Sequence, residues 1–190
     1  MMNVVVYAFA NEDDPVILGY MKDIGKSIAE SGNTLLVHAM NAGPAEAVAD
    51  GALDAGGKVI GFFNKHYPFQ DRKNPKISEI IMEEEMPNNE MNNMGDAFIA
   101  VPGGFNMFTQ MIDGMFISKW EKKYARYVFY NRDGFFNHLK EYFDHMAEEG
   151  HMGSMMDRIL FSDDIKEMMD FINEGRSGKE EYEKEKAAEA

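Results

Sequence analysis

The sequence predicts a layered α/β fold with a mainly parallel sheet and helices on both faces. Three observations point there. Strand-like apolar runs alternate along the chain with segments of helical periodicity. The first of these runs, Val4–Phe9, is continuously apolar and β-branched, as expected of a strand buried on both faces. One of them, Ala97–Val101, runs through Pro102-Gly103-Gly104 straight into a helix.

Val4-Val5-Val6-Tyr7-Ala8-Phe9 is the first strand, and the spacing of Ile17, Met21, Ile24 and Ile28 predicts a helix over 17–31 that Gly32 closes. Thr34–His38 is the second strand, Ala45–Ala55 a helix ended by Gly56-Gly57, and Lys58–Phe63 the third strand. A short helix follows over Pro87–Gly95, then a fourth strand over Ala97–Val101 and a helix over Phe108–Lys122. Tyr127–Tyr130 reads as a strand, Phe135–Glu149 as a helix, and Ile159-Leu160-Phe161 precedes a final helix over Ile165–Asn173. From Gly175 onward the chain is almost wholly Lys, Glu and Ala with one Tyr, so residues 1–174 are expected to form a single domain and 175–190 a solvated helix extension or a disordered end. Right-handed crossovers then place ligands beyond the carboxyl ends of the strands, where Pro102-Gly103-Gly104 lies.

Composition narrows the function. With 190 residues, 45% of them hydrophobic, the chain can bury one substantial core. Its 33 acidic and 19 basic residues, net −14, argue against electrostatic capture of nucleic acid or an anionic membrane. Lys119, Lys122, Lys123 and Arg126 lie close together, but a solvated helix face accounts for them. Without cysteine there is no disulfide framework and no thiolate chemistry. The opening residues carry no positive n-region, and no apolar run reaches spanning length, so a soluble, cytoplasmic protein without cofactor or metal is expected.

The Pro-Gly-Gly turn has the form of an anion cradle. Glycine lets backbone approach a ligand, and the first N–H groups of the following helix have no partner within it. Taken with Gly56-Gly57-Lys58-Val59-Ile60-Gly61, the preceding Ala47–Leu53, and Asn131-Arg132-Asp133-Gly134-Phe135-Phe136, this stretch resembles the Lonely Guy family over roughly residues 3–173. Those proteins are cytokinin riboside monophosphate phosphoribohydrolases, often labelled lysine decarboxylases. The resemblance implies a Rossmann-like three-layer sandwich and a homodimer with its site near the subunit interface, acting on a nucleotide-like small molecule.

Against the family signature Pro-Gly-Gly-x-Gly-Thr-x-x-Glu, this chain reads Pro102-Gly103-Gly104-Phe105-Asn106-Met107-Phe108-Thr109-Gln110, with three of six specified positions changed. The resemblance makes Gln110 the degenerate catalytic position. An amide keeps the size of glutamate but can neither act as a base nor stabilise a cationic sugar by charge. Met107 lacks the hydroxyl of threonine, and Pro87 and Asn88 stand where the family has an Arg-Lys pair that grips phosphate. After the second strand only Gly43 survives of the family's glycines, within Val37-His38-Ala39-Met40-Asn41-Ala42-Gly43-Pro44-Ala45-Glu46. Glu46 there suits the helix dipole but repels a bound anion.

The residues expected to line a ligand are therefore Pro102, Gly103, Gly104, Phe105, Asn106, Met107, His38, Asn41, Gly43 and Asn88. His38 either touches the ligand, pairs with Glu46, or is a hydrogen-bonded structural histidine. Two function classes stand open: a ligand-binding protein with an impaired site, and a hydrolase whose missing acid comes from a neighbour such as Glu85 or Glu90. His138, Glu141, Tyr142 and His145 share one helical face, where surface packing explains them better than a metal does. Met91, Met94, Met107, Met111 and Met115 suit either an adaptable dimer surface or core filling.

Overall fold

A computed structural model describes residues 1–8, 14–66, 68, 70–84, 89–120 and 123–188. Seven strands form one sheet: β1 (Asn3–Tyr7), β2 (Thr34–His38), β3 (Lys58–Asn64), β4 (Glu79–Glu83), β5 (Ala97–Ala100), β6 (Arg126–Tyr130) and β7 (Ile159–Ser162). They lie in the order β4-β3-β2-β1-β5-β6-β7, and each neighbouring pair is parallel. The helices are α1 (Pro15–Glu30), α2 (Gly43–Asp54), α3 (Asn89–Met94), α4 (Phe105–Trp120), α5 (Asn137–Glu148) and α6 (Ile165–Ala188).

This is the doubly wound, Rossmann-like α/β arrangement that the apolar runs predict. The chain builds β1 to β4 in one direction, then returns to the other side of β1 for β5. That reversal opens a crevice between the carboxyl ends of β1 and β5, the place where open α/β sheets bind ligands. Pro102-Gly103-Gly104 follows β5 directly and so sits at that switch point.

Alternation along each strand divides the interior into two apolar layers. Val4, Val6, Leu35, Val37 and Val128 pack with Met21, Ile24, Ile28, Val48, Met168 and Ile172 on the face covered by α1, α2 and α6. Val5, Tyr7, Leu36, Phe62, Phe98 and Phe129 pack with Met91, Met107, Met111 and Phe143 on the face covered by α3, α4 and α5. Met91, Met107, Met111 and Met115 are thus buried against the sheet.

Local chemistry sets the element ends. The Asp14 carboxylate accepts the N–H of Val16 at 2.8 Å and Pro15 occupies the first turn, which starts α1. Two differences from the sequence reading matter for the site. β4 is an additional edge strand, and α4 begins at Phe105, immediately after Gly104, rather than at Phe108. Past residue 174, α6 continues as helix: Lys179 Nζ lies 2.6 Å from Asp96 Oδ1, and the Tyr182 ring packs on that of Tyr124. Among the described residues, no helix is long and apolar enough to cross a membrane.

Candidate active site

The carboxyl ends of β1 to β4 carry one buried polar side chain each, and those of β1, β2 and β4 meet α3 or α4. From β1, the buried Tyr7 hydroxyl donates to Asn92 Oδ1 of α3 at 2.6 Å. Burial, then the nearby Tyr127 and Asp113, hold this phenol well above its ordinary pKa, so it remains a donor. Gly114 of α4 makes the space, since a Cβ there would lie 2.6 Å from the hydroxyl. Tyr7→Phe leaves the buried Asn92 oxygen unpaired and is expected to cost about 1–3 kcal/mol in a urea unfolding titration.

From β2, His38 is 1% exposed, and its Nε2 lies 3.2 Å from Oε1 of Gln110 on α4, a bond that requires the Nε2–H tautomer. Burial lowers the imidazole pKa to about 4, against the opposing effect of the Gln110 bond. The ring is therefore neutral at physiological pH. The fold thus joins two separately suspected residues 72 positions apart.

From β3 comes the buried Asn64, whose Oδ1 accepts the N–H of His66 at 2.8 Å. From β4 comes Glu83, 3% exposed, whose Oε1 accepts the Met91 N–H of α3 at 3.3 Å. Its Oε2 is buried with no hydrogen-bond partner among the described residues. Desolvation, with the charge of Glu90, raises this carboxyl to about 7 despite the backbone bonds from Met91 and Glu90. Glu83 is half protonated near neutrality. Sequence reasoning missed Tyr7, Asn92 and Glu83: Tyr7 lies in an apolar strand, Asn92 within the short helix expected over Pro87–Gly95, and Glu83 opens the run Glu83-Glu84-Glu85.

The other expected residues fall as follows. Gly104 and Phe105 are exposed, Phe105 at 77%, and a Cβ on Gly104 would stand in open space. Neither Gly103 nor Gly104 has a positive φ, so the turn does not depend on the left-handed backbone that favours glycine. Asn106 is exposed at the helix start, whereas Met107 is buried in the core. The Asn41 N–H donates to Arg72 O at 2.8 Å, and Gly43 takes φ 59° as α2 begins. Glu46 does not meet His38; it lies 3.6 Å from Lys76, which also binds Asp50 at 2.8 Å. Pro87, Asn88 and Glu85 lie outside the described residues, while Glu90 is exposed.

At the end of β6, Arg132 lies over the Tyr20 ring at 5.4 Å, and Asp133 holds φ 52°, a left-handed conformation rare outside glycine. His138 is almost fully exposed and pairs with Glu141 at 3.1 Å. No cluster of three potential metal ligands occurs among the described residues. Chemically, the site offers a neutral imidazole–amide pair, a phenol donor and a carboxyl poised near neutrality.

Comparison with known proteins gives one family and one fold. The profile of a family described as "Possible lysine decarboxylase" matches residues 45–172, more than half of the chain. A cytokinin riboside 5'-monophosphate phosphoribohydrolase of Mycobacterium tuberculosis is 24% identical over 174 residues, 87% of this chain and 90% of that protein. One from Arabidopsis thaliana is 28% identical over 117 residues, 60% of this chain, which thus spans only 55% of its length. Among solved structures, the molybdenum cofactor carrier protein of Chlamydomonas reinhardtii superposes with a TM-score of 0.68 at 15% identity, over 93% of this chain and 98% of that one. The molybdenum cofactor binding protein of Rippkaea orientalis gives 0.62 at 18% identity, over 90% and 94%.

Proposed function

Because the chain belongs to the Lonely Guy family, the possible lysine decarboxylases of the matching profile, we propose that it is a cytoplasmic homodimer that binds a small, nucleotide-like molecule and hydrolyses the family's substrates poorly or not at all. One observation carries this reading. The position of the signature glutamate is an amide, Gln110, tied to a buried and neutral His38. An oxocarbenium-like sugar needs a negative charge beside it, and a neutral pair cannot supply one.

The phosphate side supports the same conclusion. Met107 is buried and carries no hydroxyl, and the Lys76 ammonium near Glu46 is engaged by two carboxylates. A charge-assisted contact contributes about 1.5–3 kcal/mol, so losing several weakens monophosphate capture by orders of magnitude. A neutral, cationic or weakly anionic ligand meets no such loss. Carrier and binding proteins among the structural relatives are in keeping with a binding role on this fold. Dimerisation has its own support in α4, whose outer side exposes Phe105, Ile112, Phe116 and Trp120.

Ribose 5-phosphate release from adenosine monophosphate tests the reading. The wild type is expected to show no turnover above background, and Gln110→Glu combined with Pro87→Arg to bind the monophosphate at least about tenfold tighter. Ready turnover by the wild type overturns it. A second reading, an active phosphoribohydrolase with a relocated acid, rests on the unpartnered oxygen of Glu83. In that case Glu83→Gln abolishes the turnover.

A further inference from the structure

The amino-terminal edge of the sheet holds a cavity of about 560 Å³, bounded by the end of α4, the end of α5, the 3-10 turn Gly153–Arg158 before β7, and Tyr182 of α6. It lies at the opposite ends of the strands from Pro102-Gly103-Gly104. Its size is that of an ordinary small-molecule site. Met115, Phe143, Met146, Met152 and Met155 give it an apolar wall, and Tyr127 and Ser118 lie among them. Methionine adapts its shape to a flat or branched ligand.

The charges on this cavity run against the whole chain. Acids outnumber bases 33 to 19 overall, yet the charged side chains lining the cavity among the described residues are Lys119, Lys123 and Arg158, with His151 beside them. None of the three cations pairs with a carboxylate among the described residues. Arg158 is held in place by aromatic faces instead, 4.7 Å from the Tyr124 ring centre and 5.8 Å from that of Tyr182. Lys123 donates to the Asn93 carbonyl. Cations fixed by rings and backbone keep their charge available to a ligand. The expected solvated face at Lys119, Lys122, Lys123 and Arg126 is thus divided: Arg126 stacks on Phe171 at 4.3 Å, Lys119 and Lys123 turn to the cavity, and Lys122 lies outside the described residues.

We propose that this cavity is a second ligand site, which takes a small amphipathic anion: an organic carboxylate with an aromatic or branched apolar body. The carboxylate meets Arg158 and Lys123, a geometry suited to guanidinium, and the body lies on the methionine wall. Ile112 and Phe116 belong both to this cavity and to the exposed row of α4, so a second copy is the competing occupant.

Naphthalene-2-carboxylate is the probe, compared with 2-naphthalenemethanol and 2-naphthylmethylamine by calorimetry and by the ε-methyl resonances of Met115, Met152 and Met155. The carboxylate is expected to shift these methyls saturably and to bind at least about tenfold tighter than the alcohol. Arg158→Gln removes that preference, and Lys119→Glu, at an exposed position, weakens the carboxylate several-fold while the alcohol is unchanged. Equal binding of the amine, the absence of saturable shifts at millimolar probe, or shifts that follow protein concentration alone overturns the proposal. The last result would mean that a second copy fills the cavity.

Discussion

Gly25→Ala and Gly51→Ala are each expected to destabilise the protein by about 3 kcal/mol or more, seen as a lower midpoint in urea unfolding, although alanine is the better helix former. The two glycines face the seam between α1 and α2 on one side of the sheet. A Cβ on Gly25 would lie 1.9 Å from the carbonyl oxygen of Val48, and one on Gly51 would lie 2.1 Å from that of Lys22. Both obstacles are backbone, so no rotamer change relieves them and the helices must separate. Exchanging glycine for alanine within a helix gains only about 1 kcal/mol, which the clash outweighs. Gly19, exposed on α1 with nothing within 4 Å of where a Cβ would stand, provides the control: Gly19→Ala is expected to be neutral or to stabilise by up to about 1 kcal/mol. Because both seam substitutions push the same helices apart, the double variant is expected to lose less than the sum of the two. Wild-type midpoints for the single variants would show that the helices slide freely, contrary to the close crossing.

The second large effect is a pH profile in which two buried groups cancel. Glu83 is raised from 4.5 to about 7 in the folded protein, so folding favours its protonated form. Its contribution is intact below pH 4.5 and is lost as pH rises to about 7, on the order of 3 kcal/mol at most. His38 is lowered from 6.5 to about 4, so folding favours its neutral form. Its contribution is intact above pH 6.5 and is lost as pH falls to about 4, by a similar amount. Between pH 4.5 and 6.5 the two slopes oppose each other. Single variants expose them. Glu83→Gln keeps an acceptor for the Met91 N–H, and relative to wild type it is expected to gain stability progressively above pH 4.5, reaching a few kcal/mol at pH 8. His38→Gln is expected to lose the wild type's acid sensitivity between pH 6.5 and 4. Thermal unfolding across this range reads both, and a constant difference between Glu83→Gln and wild type would remove Glu83 from the account.

The sequence made most of the sheet legible because parallel strands buried on both faces read as continuous apolar runs, and Val4–Tyr7, Leu35–Val37 and Ala97–Ala100 do. β4 escaped notice for the complementary reason. It is an edge strand, Glu79-Ile80-Ile81-Met82-Glu83, with acids at both ends and a partly exposed centre, so it looks like part of a polar linker. Missing β4 also hid Glu83, whose burial depends on α3 closing over the end of that strand.

The site was legible in its parts but not in its pairings. The Pro-Gly-Gly turn announced the switch point, and both His38 and Gln110 drew attention, but only the order of the strands brings β2 beneath α4. Tyr7 sits in a run of valines, where a phenol reads as one more apolar residue. Its hydroxyl needs a partner once buried, and Asn92 supplies it from α3, the helix packed on the same face of the sheet. Glu46 shows the same limit, since the sequence offers the helix dipole or His38 as its partner, and the fold brings Lys76 to it instead of His38.

Asp96 also bears on the order in which the molecule assembles. One carboxylate oxygen accepts the Asn3 N–H at the start of β1 and the other meets the Lys179 ammonium of α6, so this side chain fastens an early strand, a middle strand and a late helix at one point. Arg176 makes a similar clasp, donating to the Ser31 carbonyl and to the Asn33 side chain. During translation the segment around residue 176 leaves the ribosome long after β1 and β2, so those strands wait, incompletely fastened, until it arrives.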